Sequence, residues 1–468
     1  MKNKIYNRLL FIMIIGLTAG SCGKEFLELS PQQSVANEEA LLIIDDFQSS
    51  ITAAYNGLSQ ASYYGRYFVL VPDVMSDDVK QHPSANRAKD YAEYSAVIDD
   101  GIAEGLWSEM WQNINNLNAI INSEVTIPAA VKDDYDHIIG EAYTLRGQIY
   151  FDMVRAFAQH YSFTAGATHL GVPIVLEFDQ FSEPSRASVG AVYDQVISDM
   201  QQGISLLTDS PRSGNTATLS KTAAKALLAR VYLYKDDFAN AESLANEVIS
   251  SGKYSLEDNA NYLASWSNDY SSESIFEISM TDTDNRGSDA LGRMYIIEGY
   301  GDYLPSNDVV SLIPEDDARR GWFIEDEFLD GDYAPFRMNK YPSITGVDNT
   351  KVMRLSEVYL IRAEAKARQN DNGAQADVDA IRQRAQPTAA PVTATGQALV
   401  DEVLLERRKE LCFEGQRLWD LMRYKKNVVR NQCTSSICTI NYPNEKVILP
   451  IPEAELDANP NMEPNPGY

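Results

Sequence analysis

Two groups of aromatic residues sit among polar ones in stretches without regular period. Tyr63, Tyr64, Tyr67 and Phe68 precede Asp73, Asp77, Asp78, Asn86 and Arg87. Trp266, Tyr270, Tyr295, Tyr300, Tyr303, Trp322, Tyr333 and Phe336 are spread over a second stretch that also holds Asn268. A sugar ring has a flat face of C–H groups that stacks on an aromatic ring, while its hydroxyls need fixed polar partners. Tyr and Trp interleaved with Asp, Asn and Arg suit that chemistry. The alternative for any one of these rings is satellite core beneath a long loop. The candidate ligand contacts are Tyr63, Tyr64, Tyr67, Asp73, Asn86, Arg87, Trp266, Tyr270, Tyr295, Tyr300, Tyr303 and Trp322.

Catalytic and metal chemistry find less support. His82, His137, His160 and His169 are scattered without the HExxH spacing of a zinc site. The run from Asp282 to Gly287 opens like a calcium loop, but Arg286 stands at its fifth position and Arg293 at the twelfth, where a bidentate Glu is required. Ser251-Gly252-Lys253-Tyr254 lacks the leading Gly and the Ser or Thr of a phosphate loop, and no Gly-x-Ser-x-Gly occurs. Paired carboxylates could serve a surface glycoside hydrolase. Among 67 Asp and Glu, however, close pairs arise by chance. We assign no catalytic residue, metal or cofactor. With 40 Lys and Arg against those 67 acids, the formal charge is −27, which excludes the electrostatic footprint of a nucleic-acid binder.

Cys433 and Cys438 enclose four residues, and in an exported protein such a pair can be oxidised. A bridge there contributes roughly 2 kcal/mol by closing so short a loop, so its main effect is to pin that loop; two free thiols are the alternative. Cys412 falls in a helical stretch and reads as a small buried hydrophobe.

The elements that must position these residues read as helices. Residues 1–21 are a signal peptide: Lys2, Lys4 and Arg8 precede the apolar run Leu9–Leu17, which is too short for a hydrocarbon core of about 30 Å. Ala19-Gly20-Ser21 then leads into Cys22 in the order of a lipobox, with ordinary secretion at the same bond as the alternative. Residues 22–33 form an extended leash ended by Pro31. Apolar residues recur at spacings of 3 and 4 over Glu38–Leu58, Leu106–Ile121 and Tyr135–Phe157, and Ser188 can cap a further helix carrying Val192, Val196, Met200 and Ile204. Residues 222–254 hold a helical hairpin in which Ala226, Ala229, Ala241 and Ala245 permit close approach. Residues 358–385 hold another, with its turn at Asn370–Gly373. The expected fold is all-α, with about four right-handed hairpins of tetratricopeptide type. Residues 59–102 and 255–351 interrupt that pattern with long irregular stretches, where ligand specificity is expected.

Several of these segments together resemble the SusD/RagB family of outer-membrane nutrient-binding lipoproteins. The strongest match is Leu405–Tyr424 (LERRKELCFEGQRLWDLMRY), supported by Glu141–Phe157, Arg354–Ala367, Pro184–Ile204, the C-terminal Leu449–Tyr468 and the opening Cys22–Pro31. Cys412 stands where the family usually has a small residue, and the chain is shorter than many glycan-binding members. The resemblance implies one domain over residues 34–468: hairpins over 34–254, a variable ligand-facing insertion over 255–351, and a C-terminal hairpin and signature over 352–468. It further implies a lipid anchor at Cys22 in the outer membrane, facing outward. The implied partner is a SusC-like TonB-dependent β-barrel transporter, over which the protein acts as a lid. The implied ligand is an oligosaccharide, with peptides as the RagB-like alternative, and the core role is not enzymatic. Within the signature, Arg407/Glu410, Glu414/Arg417 and Asp420/Arg423 are opposite charges at i,i+3, which predicts a salt-bridged helix surface rather than a catalytic centre.

Overall fold

The structure is a computed structural model that describes residues 41–179, 181–329, 335–431 and 433–468. The signal peptide, Cys22, the leash and Tyr333 lie outside the described residues.

Helices α1 (Ile44–Leu58), α2 (Tyr67–Val74), α3 (Gly101–Ile121), α4 (Lys132–Phe157), α5 (Val189–Leu206), α6 (Lys221–Tyr234) and α7 (Phe238–Ser250) make the first half. After the second irregular stretch come α8 (Leu355–Arg368), α9 (Ala374–Ala385), α10 (Gln397–Leu411) and α11 (Arg417–Arg423). Their starts follow from local chemistry: Asp100, Ser188, Ser220 and Asp237 each accept a backbone N–H of the first turn at the heads of α3, α5, α6 and α7. Apart from α2, each long helix packs on its successor: α3 on α4, α4 on α5, α5 on α6, and so on across α7 and α8 to α9 and α10. The expected alanines of the first hairpin are fully buried between α6 and α7.

Helix α2 carries no predictable period. Its sequence YFVLVPDV is apolar almost throughout and includes Pro72, and seven of its eight residues are buried, so it has no polar face to reveal it. The strands are short. β1 (Val79–Gln81) pairs antiparallel with β3 (Tyr303–Pro305), and β2 (Ser274–Ile278) with β6 (Thr350–Arg354). β4 (Phe323–Glu325) pairs with β5 (Phe336–Met338). The β2–β6 pair closes the base of the second irregular stretch, and β6 leads directly into α8. One hydrophobic core runs through α1 to α8 and through both irregular stretches.

The signature does not form one helix. It breaks between α10 and α11, where Phe413 and Gly415 both take positive φ, and Gly415 presses against the backbone of Val69 in α2. Its charges are buried and reach across elements. Glu410 meets Arg354 at 3.0 Å and Arg384 at 2.6 Å, Glu414 meets Lys340 at 2.7 Å, and Arg319 meets Glu406 at 2.7 Å. Arg417 pairs with Asp77 at 2.7 Å and Arg408 with Asp78 at 2.6 Å. Of the three expected i,i+3 pairs, only Asp420 and Arg423 meet among the described residues, at 2.8 Å. The surface-helix expectation is thereby corrected: partners distant in sequence displace neighbours on the same helix once the face is buried. Cys433 and Cys438 are joined as a disulfide with Cα atoms 5.4 Å apart. Thr434 in that loop donates to the carbonyl of Gln81 in β1. Cys412 is buried, and burial pushes its thiol up to about 12.

Candidate functional site

The pairing of β1 with β3 joins the two irregular stretches, placing Val79 opposite Pro305 and Gln81 opposite Tyr303. The chain leaving β1 carries Asn86 and Arg87, while the chain entering β3 carries Tyr300. The Arg87 guanidinium lies 3.3 Å from the centre of the Tyr300 ring. It is oriented by an ion pair with the buried Asp302 at 3.1 Å and donates to Asn86 Oδ1 at 3.4 Å. The carbonyl of Arg87 accepts the hydroxyl of Tyr303 at 2.5 Å. Tyr303 is therefore a prop beneath the site, while Tyr300 keeps 38% of its surface in solvent.

The loop that presents Tyr300 is built around Arg293. The Tyr300 N–H donates to the Arg293 carbonyl at 2.6 Å, and Gly301 follows at φ +58. The Gly301 carbonyl accepts from Arg337, itself ion-paired with Asp326 at 3.0 Å. The Arg293 guanidinium lies 5.8 Å from the Tyr300 ring and donates to the carbonyl of Ile344. A third segment joins from the start of α2. The Arg66 guanidinium sits 4.1 Å from the Tyr67 ring and pairs with Asp289 at 2.7 Å, and Leu291 N–H donates to the Gly65 carbonyl. Burial, opposed by Arg66 and reinforced by Asp289, raises the pKa of Tyr67, so its phenol stays a donor. His82 shares a hydrogen bond with Ser84 Oγ at 2.6 Å; its pKa is lowered, first by burial and then by Arg337.

Tyr67, Asn86, Arg87 and Tyr300 thus come together from the sequence-predicted set. Tyr270 lies elsewhere, half-buried, with its hydroxyl on Ser279. The remaining candidates are internal, which corrects the expectation of ligand contact. Tyr63 and Tyr64 stack on one another and both donate to Asp152, at 2.6 and 2.7 Å. Asp73 is buried, accepting Gly415 N–H at 3.0 Å and the Tyr295 hydroxyl at 3.3 Å, and burial raises its pKa well above the usual range. Trp266 and Trp322 are buried around the ammonium of Lys340, at 4.6 and 3.9 Å from the ring centres. Each of these rings spends its face or its hydroxyl on a buried charge, which is why an aromatic-rich loop here is largely core. Arg66, Asp289, Arg293, Asp302 and Arg337 were not among the candidates. The Gly299-Tyr300-Gly301 triplet, a tyrosine on a loop with no large neighbours, is the signal that points to Tyr300.

The arrangement has the parts of a binding site. An open tyrosine ring backed by a cation offers a stacking face, and Asn86, the Tyr67 hydroxyl and the arginines supply directional polar groups. The carboxylates named within the cluster, Asp289, Asp302 and Asp326, are each ion-paired to an arginine. Among the described residues no group of three or more His, Cys, Asp or Glu could hold a metal.

Comparison with known proteins places this architecture. The family described as "SusD family" matches residues 333–468, and that described as "Starch-binding associating with outer membrane" matches residues 25–233. SusD-like protein P2 of Formosa agariphila is 26% identical, over 98% of this chain and 99% of its own length. Starch-binding protein SusD of Bacteroides thetaiotaomicron is 33% identical over 124 residues, 25% of this chain and 21% of its own. The crystal structure of a SusD superfamily protein from Bacteroides vulgatus superposes with a TM-score of 0.84 at 27% identity, covering 92% of this chain and 100% of that one. With residues 25–233 and 333–468 matched and the mostly helical fold shared over 92% of the chain, this chain belongs to the SusD-like family.

Proposed function

We propose that this protein is a carbohydrate-binding lipoprotein of the outer membrane that holds an oligosaccharide on the Tyr300 platform. The observation that carries the reading is the solvent-facing Tyr300 ring fixed against Arg87, with Asn86 bonded to that guanidinium and Tyr67 within its electrostatic reach. The relatives' description as starch-binding and associated with the outer membrane supports both the ligand class and the location. In this reading Cys22 carries the acyl chains, and the ligand-facing loops close over a SusC-like TonB-dependent β-barrel to which the sugar is delivered. The role is capture, without chemistry on the glycan.

Affinity electrophoresis and a glycan array test the site directly. A stacked ring contributes about 0.5–1.5 kcal/mol beyond its area, so Tyr300→Ala is expected to weaken glycan binding several-fold to about tenfold. The melting temperature should stay nearly unchanged, because the ring is not part of the core. Binding that survives Tyr300→Ala intact would remove the platform from this role, and any cleavage of the glycan would overturn the non-catalytic reading.

A further inference from the structure

The charge pattern around Tyr300 bears on which sugars it takes. Two guanidiniums, Arg87 and Arg293, flank one ring, and their distances of 3.3 and 5.8 Å from its centre hold the two within about 9 Å of each other. Arg87 is neutralised by Asp302, and neighbouring Arg66 and Arg337 face Asp289 and Asp326. Arg293 differs: among the described residues no carboxylate lies within ion-pair distance of it, and the one hydrogen bond its guanidinium makes there is to the neutral carbonyl of Ile344. Its Nε is buried with no partner. The Arg66–Asp289 pair is open on its acidic side, with Asp289 61% exposed, while the Arg66 guanidinium is buried and stays committed to it.

An unpaired guanidinium beside a sugar platform stands out in a chain with a formal charge of −27. The body's long-range field disfavours anions, but at physiological ionic strength it is screened beyond about 8 Å, so the local arginines decide. A guanidinium presents a planar fork of donors that matches a carboxylate or sulfate better than it matches neutral hydroxyls.

We propose that the Tyr300 site selects acidic oligosaccharides, with Arg293 receiving a carboxylate or sulfate group of a sugar stacked on Tyr300. This rests on the glycan-binding reading above. A glycan array carrying uronate-containing, sulfated and neutral oligosaccharides, probed with the full chain, tests it, and the uronate and sulfate arms identify the source of the anion. Acidic glycans are expected to bind at least tenfold tighter than neutral ones of equal length, more weakly as salt rises. Arg293→Gln is expected to lower that preference about tenfold, and Arg293→Lys to restore part of it, with melting curves showing that both variants fold. Preference for neutral glycans that is lost in Tyr300→Ala would overturn the acidic selectivity and leave the platform standing. An acidic preference unmoved by Arg293→Gln would remove Arg293 from the role. Failure of every glycan to bind would overturn both the selectivity and the platform.

Discussion

Tyr300 is useful because something else holds it still, and most of that work falls to its neighbour Gly301. At φ +58 an alanine costs about 1–2 kcal/mol, and its Cβ would fall 2.4 Å from Arg337 Nη1, pushing away the guanidinium that bonds the Gly301 carbonyl. Gly301→Ala should therefore lower stability by about that amount in urea unfolding and weaken glycan binding further than stability alone explains, since the ring loses its fixed pose. Unchanged affinity in the folded variant would show that the loop reaches its pose without Gly301. The same scale explains why twelve candidate residues yielded four that converge. Tyr63 and Tyr64 find Asp152 from 89 and 88 residues away, and Tyr295 finds Asp73 from 222 away. A tyrosine whose hydroxyl meets a buried carboxylate and one whose ring faces solvent look alike in an irregular stretch, because neither obeys a period. Flanking glycines were the only local trace of the difference.

Among the elements, the helices were legible because a buried stripe recurs every 3.6 residues, whereas α2 was not, lying almost wholly inside. The signature was legible as structural, yet its partners were not. Glu410 accepts from Tyr262, Arg319, Arg354 and Arg384, which come from the irregular stretch, β6 and α9. The break after α10 turns Gly415 and Arg417 toward Asp73 and Asp77, just ahead of β1. The signature is thus a clamp on the segment that leads into β1, one of the two strands on which the site is mounted. Arg384, Arg354 and Arg319 outweigh burial and hold the Glu410 carboxyl well below the usual range. Glu410→Gln leaves those guanidiniums without their shared counter-charge, and breaking a buried pair from one side costs about 3–5 kcal/mol. Because the folded pKa is depressed, that advantage is complete above the unfolded value near 4.5 and is lost as pH falls toward the folded value. Chemical unfolding of wild type and variant at pH 7 and pH 4 measures both the gap and its narrowing; a gap under about 1 kcal/mol at pH 7 would class the network with weak surface pairs.

For the molecule as a whole, the proposed location raises the question of what would keep an acidic body at a membrane. No helix among the described residues is long and apolar enough to cross one. A formal charge of −27 is repelled by anionic lipid headgroups, so adsorption through a basic face has the wrong sign. The covalent anchor we propose is consistent with both observations, and the order Ala19-Gly20-Ser21-Cys22 after an apolar run supplies the residue for it. Two or more acyl chains hold a protein stably, while one binds only marginally. A processing signal is read as a linear string, whereas the clamp and the platform exist only once distant segments meet. Wild-type protein should therefore stay with membranes through a high-salt wash and leave only in detergent. Cys22→Ala should move it to the soluble fraction without changing its glycan preference, since the platform is assembled from residues far along the chain. Cell fractionation with immunoblotting reads both, and a Cys22→Ala variant that remained with the membranes would mean that another surface of the body makes the attachment.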